Sequence, residues 1–187
     1  MHCRHADEVA ARDRQLPAPR SLAPTSPLAT AGHVLEGDAL AQLLPHRYPF
    51  LLVDRIQVVE PGRQAIGSKR VTAGEWWCDG GNPAMATLPH SLVIEALAQT
   101  TCALLQDRID AARGGSAYFA AADRVRLRHA ARPGETLQLA VTLRSWRRGI
   151  CRTHGVASVD GRVVASATLT TILRVAPERP VPASRSR

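Results

Sequence analysis

Lysine is almost absent from this 187-residue chain. Lys69 is the only one, and the formal net charge of +8 rests on arginine. Aromatic side chains are also scarce, at 4% of residues. A base-stacking platform needs several of them, and no nucleic-acid-binding motif accompanies the basic charge, so nucleic acid is not an expected partner. The four cysteines, Cys3, Cys78, Cys102 and Cys151, are scattered and form no CxxC pair. That spacing argues against a zinc site or a disulfide framework and fits a reducing cytoplasm. No metal is expected, because His2-Cys3-Arg4-His5 offers too few ligands for a closed site. No apolar run reaches the roughly 20 residues of a membrane span, and the first residues lack the apolar core of a signal peptide. The expectation is a soluble, cytoplasmic protein.

Residues 1–31 mix Arg, Ala, Pro and Ser without periodicity, as in PAPRSLAPTSP, and residues 176–187 form a second Pro- and Arg-rich stretch. Both are expected to be disordered, leaving one folded domain over residues 32–175. Within it, GDALAQLL at Gly37–Leu44 reads as a short helix stopped by Pro45. Phe50–Glu60 and Gln64–Thr72 read as strands around the Pro61-Gly62 turn. Pro89 opens a long helix expected to run to Arg113, ahead of Gly114-Gly115. After it come only strands, Ala117–His129, Thr136–Trp146, Ile150–Val159 and Arg162–Val175, with Asp160-Gly161 as a hairpin turn. One long helix followed by an antiparallel meander gives an α+β fold: a curved sheet wrapped around a single central helix.

Inside that helix, LPHSLVIEALAQ places one carboxylate, Glu95, among Leu92, Val93, Ile94, Ala96, Leu97 and Ala98. A helix apolar on every side is expected to be buried. A carboxyl kept there is a candidate general acid or base, or a structural group bonded to neighbouring backbone. On the first strand of the meander, Arg124, Arg126 and Arg128 alternate along one face. Such a face suits an acidic partner or plain solvation.

LLPHRYPFLLVDRI at Leu43–Ile56, LPHSLVIEALAQ at Leu88–Gln99, DRVRLRHAARPGETL at Asp123–Leu137 and VDGRVVASATL at Val159–Leu169 occur in order. Together they resemble the β-hydroxyacyl-(acyl-carrier-protein) dehydratases of the hot-dog fold over nearly the whole folded part. The family's helix motif is usually written MPGVLIIEAMAQ. The resemblance implies dehydration of a β-hydroxyacyl thioester to a trans-2-enoyl thioester in fatty-acid or related acyl or polyketide-type biosynthesis. It implies no cofactor. The expected partners are an acyl-carrier protein and a second hot-dog subunit, in a homodimer or a hetero-oligomer. In the family, a histidine of a G-H-F-P loop takes the α-proton and a helix carboxylate from the other subunit helps the β-hydroxyl leave. A backbone N–H at the helix start polarises the thioester carbonyl.

Carried over position by position, Glu95 matches the carboxylate, Gln99 the glutamine one turn further on, and Tyr118 the aromatic at the tunnel mouth. Pro83 falls on the loop proline and the loop histidine falls on Gly81; both positions are expected to lie against substrate. His90 stands where the family has the glycine after the helix-start proline. At the helix N-terminus its imidazole would stay neutral, which makes His90 a candidate replacement base, acting across a subunit boundary or else only filling the first turn. The motif around His46 is expected to be mainly structural. Arg124, Arg126 and Arg128 are expected to help dock the acidic carrier. Two other readings accompany the dehydratase: an acyl-thioesterase using the helix carboxylate, and a non-catalytic subunit contributing Glu95 to a composite site.

Overall fold

The structure is a computed structural model, described here for residues 32–78, 86–109 and 115–174. The expected disordered stretches 1–31 and 176–187 lie outside these residues, as do Gly81 and Pro83.

Strand β1 (His33–Glu36) leads into helix α1 (Asp38–Leu43), then β2 (Arg55–Glu60) and β3 (Gln64–Arg70). Helix α2 (His90–Leu104) follows, then β4 (Ser116–Leu127), β5 (Thr136–Arg147), β6 (Ile150–Val159) and β7 (Arg162–Arg174). Among the described residues the strands form one seven-stranded sheet in the order β1-β2-β3-β5-β6-β7-β4, with every neighbouring pair antiparallel. Two-residue turns with both residues at positive φ join β5 to β6 (Arg148-Gly149, 50° and 78°) and β6 to β7 (Asp160-Gly161, 48° and 80°). Their twist matches that of the strands they connect.

Alternation along the strands sorts the two faces of the sheet. Cys151, Thr153, Ala157 and Val159 of β6 are buried, as are Ala165, Ala167, Leu169 and Thr171 of β7; the residues between them are more exposed. The buried set faces α2, which packs it with Val93, Ala96, Leu97, Thr100, Thr101 and Leu104. Two glycines let the helix come this close. A Cβ at Gly67 would stand 2.5 Å from Thr100 Oγ1, and one at Gly155 would stand 3.1 Å from Leu97 Cδ2. Both side chains are well below the ordinary contact distance, so helix and sheet meet at these bare backbone positions.

Three sequence expectations change. The strand expected over Phe50–Glu60 begins at Arg55, as β2, because the Phe50 carbonyl and the Leu52 N–H bond to the Gln99 side chain instead of a neighbouring strand. Helix α2 ends at Leu104, not Arg113. There the backbone tightens into a 3-10 turn over Gln106–Arg108, and Leu105 packs on Cys151 and Leu173 in a small second cluster. The helix is also not covered on every side: Ser91 is exposed, and Ile94, Glu95 and Cys102 are half-buried. The sheet curves round the opposite side and leaves this stripe open.

Candidate active site

Glu95 stands on the open stripe of α2, with 29% of its side chain exposed. It is therefore less buried within the chain than an all-apolar helix predicts. One turn on, fully buried Gln99 uses every part of its amide. Its Nε2–H group donates to the Phe50 carbonyl at 2.7 Å and to Glu95 Oε1 at 3.0 Å, and its Oε1 accepts from Leu52 N–H at 3.0 Å. Gln99 thus sews the loop between α1 and β2 onto the helix and orients the carboxylate with the same group. The i, i+4 spacing on one helix face makes this possible.

The same loop delivers a group that the sequence reading left as structural. His46 Nε2 lies 3.2 Å from Glu95 Oε1. No local spacing connects the two residues, so only the fold of the Leu43–Ile56 motif joins them. The available signal was that motif's histidine together with a glutamine able to pin the loop to the helix. Phe50 also packs its ring on Trp76, with centroids 5.5 Å apart, and both rings are partly exposed beside the site.

The other expected site residues lie elsewhere. His90 occupies the first turn of α2, and its Nε2 lies 3.0 Å from the His129 carbonyl. A carbonyl only accepts, so Nε2 carries a proton, and in the neutral ring the lone pair lies on Nδ1. Five residues from Glu95, His90 is on another side of the helix, as the spacing predicts. Tyr118 pairs with Ile172 on the sheet face turned away from α2, beside Arg174, whose guanidinium is 5.8 Å from the ring centre. Its neighbour Phe119 pairs with buried Thr171 on the helix side. Gly81 and Pro83 lie outside the described residues.

The segment that leads towards them is firmly held at its start. Lys69, buried on the helix-facing side of β3, donates to Glu75 Oε2 at 2.8 Å, and Trp77 Nε1–H donates to the same oxygen at 3.0 Å. Thr72 N–H donates to Oε1. Burial pushes the Glu75 carboxyl up, but the hydrogen bonds from Lys69, Trp77 and Thr72 outweigh it and hold the group below its ordinary value. Cys102, on the open stripe with Glu95, is pushed up to about 11 by burial and then by the Glu95 charge. It is a thiol at neutral pH and a poor nucleophile.

On the outer face of the sheet, Arg126 and Arg128 join Arg144, Arg152 and Arg162 around a groove that also contains His154. Arg124 lines the same groove. Burial, then the charges of Arg144 and Arg126, hold His154 below its usual value against an opposing hydrogen bond from the ring to the Ala167 backbone carbonyl. The face is strongly positive. Among the described residues no cluster of His, Cys, Asp or Glu could hold a metal ion, and no helix is long and apolar enough to cross a membrane.

Comparison with known proteins agrees with this arrangement. The FabA-like domain family matches residues 44–168. The 3-hydroxyacyl-[acyl-carrier-protein] dehydratase FabZ of Roseiflexus castenholzii is 47% identical over 133 residues, 71% of this chain and 92% of that protein. The FabZ of Bacillus subtilis is 42% identical over 137 residues, 73% of this chain and 96% of its own length. Among solved structures, the dehydratase heterocomplex ApeI:P of Xenorhabdus doucetiae superposes with a TM-score of 0.58 at 20% identity, over 72% of this chain and 90% of that one. At that identity the likeness speaks for the fold alone. With the helix carboxylate, its glutamine and the wrapped sheet in place, the chain belongs to the FabA-like family of hot-dog 3-hydroxyacyl-acyl-carrier-protein dehydratases.

Proposed function

We propose that this chain dehydrates 3-hydroxyacyl groups carried on an acyl-carrier protein, giving the trans-2-enoyl thioester and water. The observation that carries the reading is Glu95, held by Gln99 on the open stripe of α2. In the reaction the C2–H bond breaks towards a base, the C2=C3 bond forms, and the C3–O bond breaks. Glu95 gives its proton to the departing hydroxyl, which leaves as water. At the start of α2, Leu92 and Val93 N–H groups are taken by the Pro89 carbonyl. The N–H groups of His90 and Ser91, nearer the start, are the first-turn donors that helix geometry leaves for the thioester carbonyl.

The base comes from a second subunit in this scheme. Strand β4 closes one edge of the sheet and exposes Phe119, Val125 and Leu127, which suits pairing with another hot-dog chain, identical or not. His90, whose neutral ring would keep its lone pair on Nδ1, is the candidate imidazole for the neighbouring site. Tyr118, on the face of β4 turned away from α2, would line only the acyl path of the neighbouring subunit. In a hetero-oligomer the second chain supplies the base instead.

A direct assay tests this. Crotonyl-carrier thioester should be hydrated reversibly by the chain, alone or mixed with a second hot-dog subunit. Release of free thiol from saturated acyl carriers, without hydration, would show a thioesterase instead.

Arg124, Arg126 and Arg128 dock the acidic carrier in this reading, with Arg144, Arg152 and Arg162 extending the same positive face. Reversing charge at Arg126 and Arg128 together should raise KM for the carrier-bound thioester about tenfold at low salt, and less as salt screens the contact. A KM unchanged across the salt series would remove the docking role.

A further inference from the structure

Glu95 Oε1 accepts a hydrogen bond from Gln99 Nε2 at 3.0 Å, and His46 Nε2 stands 3.2 Å from the same oxygen as an ion-pair contact. A carboxyl has two oxygens, so fixing one leaves Oε2 as the oxygen for proton transfer. The histidine arrives on the loop that Gln99 itself binds through the Phe50 carbonyl and the Leu52 N–H. Gln99 and His46 therefore meet the carboxylate from one hydrogen-bonded unit.

The other nitrogen of the ring tells which end of His46 matters. Among the described residues, buried His46 Nδ1 has no hydrogen-bond partner. A neutral imidazole carries one N–H, and a bare Nε2 would set its lone pair against those of the carboxylate. The contact with Glu95 therefore favours the proton on Nε2, and the unmatched Nδ1 lone pair then costs stability that an apolar side chain in the same space would not. The Nε2 contact with Glu95 is what the ring offers in return.

We propose that His46 is a positioning residue of this active site, an Nε2–H donor that fixes Glu95 through Oε1 and reserves Oε2 for the leaving hydroxyl. The inference rests on the dehydratase reading of Glu95 and adds a residue that acts through it.

Substitution can separate the two ends of the ring. A glutamine amide nitrogen reaches about as far as Nε2, whereas that of asparagine reaches only as far as Nδ1. In crotonyl-carrier hydration, His46→Gln should keep kcat within about fivefold of the parent chain. His46→Asn and His46→Ala should lose about fiftyfold in kcat with little change in KM, the signature of a misplaced carboxyl. Circular dichroism would verify that all three fold. Equal kcat in the three variants, or a change confined to KM, would overturn the proposal.

A second measurement does not depend on turnover. Nitrogen-15 spectra of the imidazoles at a pH where His46 is neutral should show its proton on Nε2. A bare Nε2 would overturn the proposal by itself. If the parent chain fails to hydrate crotonyl-carrier in any combination, the dehydratase reading falls, while the nitrogen spectrum still decides whether His46 holds Glu95.

Discussion

Glu95→Gln is expected to lower crotonyl-carrier hydration about a thousandfold or more, the scale at which a general acid–base group contributes when its proton is removed from the reaction. Glutamine keeps the length and nearly the shape of the side chain, and its amide oxygen can still accept from Gln99 Nε2. Fold and carrier binding should therefore be retained, and the loss should fall on kcat. Single-turnover kinetics with excess protein would separate chemistry from binding. Retention of a tenth or more of the parent rate would mean that another group delivers the proton. Among the described residues, the stripe that carries Glu95 also carries Cys102, whose thiol is held protonated and pushed up to about 11. As so weak an acid it is not an equivalent donor.

The largest expected effect on stability comes from Gly67→Val. A Cβ here would stand 2.5 Å from Thr100 Oγ1 and 3.3 Å from both Thr100 Cγ2 and Val53 Cγ1. Thr100 has no flexible end to swing aside, since its branched side chain is fully buried and its hydroxyl bonds the Ala96 carbonyl at 2.9 Å. Relief requires moving α2 off β3. We expect a loss of about 3 kcal/mol, at the upper end for an overpacked core, and a fall in Tm of about 10 °C. Gly74 supplies the control: among the described residues nothing lies within 4 Å of a Cβ built there, so Gly74→Ala should stay within about 0.5 kcal/mol of the parent chain. Calorimetry on both variants, with Gly67→Ala/Thr100→Ala to reopen the space, tests the argument. A Gly67→Val protein as stable as Gly74→Ala would show that helix and sheet are not in close contact there.

The strand meander was legible because turn chemistry and alternation agreed. Asp160-Gly161 marks its hairpin unambiguously, and β6 runs over Ile150–Val159 as read. Strand β1 was missed, for His33–Glu36 is four residues long with no repeating pattern and exists only through its pairing with β2. The end of α2 was misread because Leu105 fits a helix pattern and a 3-10 turn equally well; the contacts with Cys151 and Leu173 exist only in three dimensions. At the site, Glu95 and Gln99 were found because both sit on one helix, one turn apart. His46 was not, since its partner lies far along the chain and the loop between α1 and β2 has no periodicity. The open stripe was hidden for a related reason: Ser91 and Glu95 interrupt an apolar sequence too briefly to mark a face.

Burial of the one lysine alters how the chain meets reagents. Lys69 holds its ammonium against Glu75 with only 5% of the side chain exposed. Amine-directed labels, cross-linkers and lysine-modifying enzymes therefore find no ε-amino group on the folded surface of this strongly basic protein. Its positive charge is carried by guanidinium groups, which those reagents ignore. Acylation of Lys69 requires the Glu75 contact to open first, so the rate of labelling at this one position reports the opening of that buried ion pair.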